Sequence, residues 1–195
     1  TGAVQVTAGG RSWVFDRTYS CAALATGGAA CWGNNTYGQR GDGTAHNGTS
    51  FWTPVQDAAG DLADAAQLAA GGQHTCDVRG GGTGTAACWG AGGGGKLGDG
   101  TGSDSLVAVA VLGLSGVTQL SAAGDYPRYL GAGPGYQSGG GHGCAVHSGG
   151  SLSCWGCNDH GQLGDGARGL SAFSSSPVAL LVFRTASGAH AGLPD

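Results

Sequence analysis

The chain has 195 residues, of which 10% are charged and 44 are Gly, whereas an ordinary soluble domain is about a quarter charged. Its net charge of −4, with eight basic residues scattered along it, leaves no basic patch, so neither nucleic acid nor an anionic membrane is expected as a partner. Gly and Pro together reach roughly a quarter of the chain, a composition that means low complexity unless a period organises it.

In chain order, VQVTAGG from Val4 reads as a strand and is followed by an aromatic-rich insertion, RSWVFDRTY, from Arg11. The first ten residues lack the basic start and apolar block of a secretory signal. Next comes CAALATGGAACWGNNTYGQRGDGT from Cys21. Its Gly27-Gly28 pair supplies positive φ for a tight hairpin between two short strands. Ala30-Cys31-Trp32 has hardly a polar residue facing either way, so both faces of that strand require burial. DLADAAQLAA from Asp61 has a helical composition, but it aligns with SGVTQLSAA from Ser115. The alignment predicts a strand at Gln67-Leu68.

The second unit, CDVRGGGTGTAACWGAGGGGKLGDGT from Cys76, contains GAGGGGKL, one residue short of a phosphate loop. Gly95 and Lys96 fall in the columns of Gly38-Gln39 and Gly161-Gln162, which are turn positions. Leu97 stands where a magnesium-binding hydroxyl belongs, and Gly-Asp-Gly follows where a helix must start. No nucleotide and no other cofactor is expected. TQLSAAG from Thr118 then leads into a second insertion, DYPRYLGAGPGYQSGGG from Asp125, and a third unit, CAVHSGGSLSCWGCNDHGQLGDGA from Cys144. FRTASGAH from Phe183 looks like the start of a further copy.

Superposed, the units share Cys, a Gly-rich turn, Cys-Trp-Gly, four variable residues, Gly-[Gln/Lys], one residue, and Gly-Asp-Gly. Trp32, Trp89 and Trp155 lie 57 and 66 residues apart, about one four-stranded sheet per repeat. A sheet buried on both faces needs a similar sheet on each side, and radially stacked blades supply it. The expectation is an all-β partial propeller of about three to four blades, each a four-stranded antiparallel sheet. The repeats run approximately 1–64, 65–116 and 117–182, with 183–195 beginning another.

The cysteine separations are 10, 12 and 10 residues, and a two-residue change at a hairpin tip leaves the register below unchanged. Cys21-Cys31, Cys76-Cys88 and Cys144-Cys154 can then form three disulfides, which would imply an oxidising, secretory or extracellular compartment. The alternative is small buried hydrophobes in a cytoplasmic protein. Asn34-Asn35-Thr36 and Asn47-Gly48-Thr49 match the glycosylation pattern. Cys154-x-x-Cys157-x-x-His160 has the look of a zinc site, but Cys154 is a repeat cysteine and Cys157 sits in a variable column, so no metal is expected.

CWGNNTYGQRGDGT and CWGCNDHGQLGDG resemble the regulator of chromosome condensation repeat family, whose units carry a W-G-x-N-x-x-G-Q-L-G-x-G core. The resemblance covers nearly the whole chain and implies blades of a seven-bladed propeller. Its eponymous nuclear member exchanges guanine nucleotide on a small GTPase and docks on nucleosomes, and a bacterial secreted member inhibits β-lactamases. The repeat motif carries no catalytic residue that transfers to this chain.

His74 and His142 precede repeat cysteines, as packing or turn-bonding residues would. Asp42, Asp99 and Asp165 lie between glycines, where a short side chain bonds its own backbone. The predicted function is a non-catalytic scaffold for a protein partner. The alternatives are a guanine-nucleotide exchange regulator of a small GTPase and, third, a secreted enzyme inhibitor. Open blade edges imply self-association. Interface anchors are expected on the insertions: Trp13, Phe15, Arg17 and Tyr19 in the first, Tyr126, Arg128, Tyr129 and Tyr136 in the second. The other reading of these rings is that they fold back over blade edges.

Overall fold

Each Cys-turn-Cys-Trp segment forms the middle two strands of a four-stranded meander, in a computed structural model that describes residues 2–11, 17–46, 49–80, 84–124, 126–128, 137–166 and 175–183. The first sheet runs β1 (Ala3–Arg11), β2 (Arg17–Leu24), β3 (Ala29–Gly33) and β4 (Thr49–Pro54), followed by a two-residue ladder of β5 (Gln56–Asp57) and β6 (Gly60–Asp61). The second holds β7 (Ala65–Ala70), β8 (His74–Arg79), β9 (Thr85–Gly90) and β10 (Ser105–Ala110). The third is built from β11 (Val117–Ala123), β14 (His142–His147), β15 (Leu152–Cys157) and β16 (Ser175–Phe183), with the separate ribbon β12 (Tyr126–Arg128) and β13 (Gln137–Gly139) between β11 and β14. All pairings are antiparallel. Three blades of a β-propeller result, and Phe183, read above as the head of another repeat, is the last residue of β16.

The cysteines sit opposite one another in register: Cys21 with Cys31, Cys76 with Cys88, Cys144 with Cys154. Their Cα atoms are 4.1, 4.0 and 4.1 Å apart and all three pairs are disulfide-bonded. The extra residues of the second unit are absorbed at the hairpin tip, as the register argument requires. Of the hairpin pairs Gly27-Gly28 and Gly149-Gly150 only one residue takes the positive φ, Gly27 at +85° and Gly150 at +76°, because a single left-handed residue closes these turns. DLADAAQLAA contributes β7 and no helix; its neighbours in the sheet override its composition.

Two apolar clusters fill the spaces between blades. Tyr19, Cys21, Cys31, Leu68 and Trp89 anchor the first, and Cys76, Cys88, Leu97, Leu120 and Trp155 the second. Trp89 and Trp155 are fully buried. The cores therefore lie between sheets, and each blade depends on its neighbour.

Candidate interaction surface

Blade packing begins with a backbone irregularity. The inner strands β1, β7 and β11 each shift register at the same column, between Ala3 and Gln5, Ala65 and Gln67, and Val117 and Gln119. A bulge of this kind re-aims the side chain that follows it. Gln5 turns onto the next blade, where its Nε2 donates to the Leu68 carbonyl at 2.9 Å and its Oε1 accepts from the Leu68 amide at 2.7 Å. Gln67 does the same to Leu120, with both bonds at 3.1 Å. β7 and β11 lie at the inner edges of their sheets, so the clamp satisfies backbone groups that an edge strand leaves open.

At the outer part of the junction, the indole of each following blade closes onto the Gly-[Gln/Lys] turn. Trp89 Nε1 donates to the Gln39 carbonyl at 2.9 Å, and Trp155 Nε1 to the Lys96 carbonyl at 3.1 Å. This is the work of the Gly-Lys pair in the loop-like GAGGGGKL. Gly93–Gly95 form one 3-10 turn, and Lys96 is buried beneath blade three. Gly-Asp-Gly supplies the other wall. Asp42 Oδ1 accepts from the Thr44 amide at 3.1 Å, Asp99 Oδ1 from the Thr101 amide at 3.0 Å, and Asp165 Oδ1 from Asn158 Nδ2 at 3.0 Å. Asp42 and Asp99 bond their own turn backbone, as expected, whereas the bond to Asp165 comes from the Asn158 side chain. Burial works to raise the Asp42 pKa, but hydrogen bonds from Thr44 and Thr53 and the Arg40 cation outweigh it and hold the carboxylate below its usual range.

The two cysteines of the zinc-like pattern have other engagements. Cys154 is in a disulfide, and the buried Cys157 Sγ accepts from the Gly140 amide at 3.2 Å.

Both insertions occupy the same connection of their blades, between the inner strand and its neighbour. The first extends the β1–β2 hairpin to the pair Arg11 and Arg17. The second rises as the β12–β13 ribbon, with Arg128 opposite Gln137. In the middle blade that connection is only 71–73, where the Gly71 amide bonds the His74 carbonyl at 2.8 Å. The two insertions thus leave from one end of the blades and flank a short-looped blade.

Trp13, Phe15, Tyr129 and Tyr136 lie outside the described residues. Arg17, Tyr126 and Arg128 are placed as backbone, at the base of the hairpin and in β12. Tyr19 corrects its expectation. It is 2% exposed, donates to the His74 carbonyl at 2.6 Å and accepts from Thr75 Oγ1 at 3.0 Å. A ring enclosed between blades one and two bridges them and offers nothing to a partner.

One exposed aromatic pair was not foreseen. Phe51 and Trp52, on the outermost strand β4, are 79% and 65% exposed. They are the only adjacent aromatics in the chain, which is the signal that marks them.

Two buried titratable groups lie on β8, His74 beside Lys96 and His142, and Asp77 on the opposite strand face beside Asp57, Asp64 and Arg79. Burial drives the His74 pKa down to about 3, helped by the Lys96 cation and His142. Both ring nitrogens of His74 lack a hydrogen-bond partner among the described residues. Burial raises Asp77 to about 7, opposed by Arg79 and by the Ala87 amide. Its Oδ1 accepts from that amide at 3.1 Å, while Oδ2 stands 3.8 Å from Nε of Arg79, which donates from Nε to Asp64 and from Nη2 to Asp57. Among the described residues no three metal-ligating side chains gather, and no helix is long and apolar enough to cross a membrane.

No family model and no curated protein matches the sequence. Solved structures do. Human WBSCR16 superposes with a TM-score of 0.65 at 21% identity, over 94% of this chain and 40% of that one. Prp20p from Saccharomyces cerevisiae, described for its binding to Gsp1p and histones, gives 0.62 at 17%, over 87% and 37%. Yeast RCC1 (Prp20) from a structure with Kap60 gives 0.56 at 22%, over 91% and 34%. The chain has the RCC1-type propeller fold and spans well under half the length of these three proteins.

Proposed function

We propose that the chain is a non-catalytic protein-interaction scaffold whose binding elements are the two insertions. The observation that carries this reading is their placement. Two aromatic- and Arg-bearing segments share one connection of the blade, at one end of a framework whose repeat columns are taken up by clamps and turns. Loops carried on a rigid framework are where binding residues collect, and aromatic and Arg side chains dominate interface energetics. The matched structures include proteins whose descriptions name protein partners, which supports a partner of that class.

To test it, Trp13→Ala and Tyr129→Ala are made separately, and partner capture from the source organism is measured beside the melting temperature. Capture lost at an unchanged melt supports the proposal. A melt lowered by several degrees with capture retained makes the insertions covers of the blade edges and overturns it.

The description of Prp20p as a Gsp1p binder keeps guanine-nucleotide exchange on a small GTPase as the second reading. Catalysed release of labelled GDP from a small GTPase would favour it. The three disulfides support an oxidising compartment for the chain, in line with the redox rule for structural cystines.

A further inference from the structure

The connector from blade one to blade two, residues 55–64, is strapped to β8 by one side chain. Arg79, the last residue of β8, donates from Nη2 to Asp57 at 2.9 Å and from Nε to Asp64. The backbone at Asp64 completes the fastening. Its carbonyl accepts from the Gly80 amide, and the adjoining Ala65 amide donates to the Gly27 carbonyl of blade one at 2.7 Å. Asp77 faces the same guanidinium from inside the blade. Its side chain is 0% exposed, and its Oδ2 has no hydrogen bond among the described residues although Arg79 Nε is 3.8 Å away.

Nε carries one hydrogen, so it serves Asp64 or Asp77 but not both. Asp57 is served from another nitrogen and does not compete for it. A protonated Asp77 makes no claim on a cation, whereas an ionised, enclosed carboxylate with an unpaired oxygen is costly. Asp64 loses little by giving up the bond, because its side chain is 38% exposed and water replaces a surface partner. The charged groups bearing on Asp77 among the described residues are Asp57 from β5, Asp64 from the end of the connector and Arg79 from β8, while β9 contributes the Ala87 amide.

We propose that Arg79 is a proton-governed latch on the connector: it holds Asp64 while Asp77 is protonated, and turns Nε to Asp77 when that proton leaves for solvent, freeing the Asp64 end. Burial first, then the Asp64 and Asp57 charges, raise Asp77 to about 7, which puts the exchange near neutral pH. The junction between blades one and two is thereby fastened in acid and loosened in mild alkali.

Amide hydrogen exchange tests this, read as protection factors so that the intrinsic pH dependence of exchange is removed. In the unmodified chain, protection of the Ala65 and Gly80 amides is expected to fall at least about fivefold from about pH 5.5 to about 8.5, while β14 and β15 keep theirs. Asp77→Asn, which keeps the shape and cannot ionise, is expected to hold the acid-state protection at both pH values. Asp64→Asn, which removes the competing carboxylate, is expected to give the low value at both. Constant protection in the unmodified chain overturns the proposal, and so does a fall shared equally by β14 and β15. Should Asp77→Asn fail to fold, Asp64→Asn decides alone: an undiminished pH-dependent fall in it, as in a folded Asp77→Asn, overturns the latch.

Discussion

Replacing Gly98 by Ala tests whether the Gly-Asp-Gly turn is a seat for the neighbouring blade. Gly98 has φ +68°, and a Cβ there would come within 2.6 Å of Val111 Cγ1, 2.9 Å of Trp155 Cδ1 and 3.0 Å of Trp155 Nε1. The left-handed conformation costs a non-glycine residue about 1–2 kcal/mol. Forcing a methyl into a filled interior costs about 1–3 kcal/mol more. The expected loss is therefore about 2–5 kcal/mol, which for a chain of this length lowers the melting temperature by roughly 4–20 °C. Gly164→Ala is the control. Its φ is also +68°, but the position is exposed, so about 1–2 kcal/mol is expected there. Urea unfolding of both variants at a concentration where the chain is monomeric gives the comparison. Equal losses would refute the reasoning, since they would mean that the glycine serves only its own turn.

Gln67→Ala should lower stability by about 1–3 kcal/mol by stranding the Leu120 amide and carbonyl, whereas Gln119→Ala in the monomer should change it by less than about 0.5 kcal/mol; denaturant midpoints decide. Replacing both Cys76 and Cys88 by Ala should cost about 2–3 kcal/mol, and a thiol reagent should reach Cys157 only once the unmodified chain is unfolded. Asp77 and His74 give opposed pH slopes. The raised Asp77 pKa means the folded state holds an extra proton, so that group's contribution falls as pH rises from about 4 to about 7. The depressed His74 pKa means its contribution is complete above about 6.5 and lost as pH falls toward about 3. The unmodified chain should thus be nearly flat between about pH 4 and 6.5 with respect to these two groups, and Asp77→Asn should instead gain stability with pH throughout that window. Parallel urea-midpoint profiles would contradict this.

The repeat, its blade-sized period, the disulfide register and the turn role of Gly-Asp-Gly were legible in the sequence. Each depends on residues close in the chain or in equivalent columns, and a hairpin's register is set within its own strands. The same column comparison disposed of the phosphate-loop likeness at Lys96, because its counterparts Gln39 and Gln162 lie in turns. Tyr19 defeated the reading because its ring neighbours, His74 and Thr75, lie more than 50 positions away, so nothing local distinguishes a bridging tyrosine from a binding one. The register shifts before Gln5, Gln67 and Gln119 are likewise silent in a sequence, since a bulge shows only against its paired strand. Above all, Trp32 and Trp89 stand in identical motifs yet differ in burial, as do Val6 and Leu68. A column determines what a residue can bind, and tertiary structure alone decides whether a neighbouring blade is present to be bound, because the core of this fold lies between repeats and not within them.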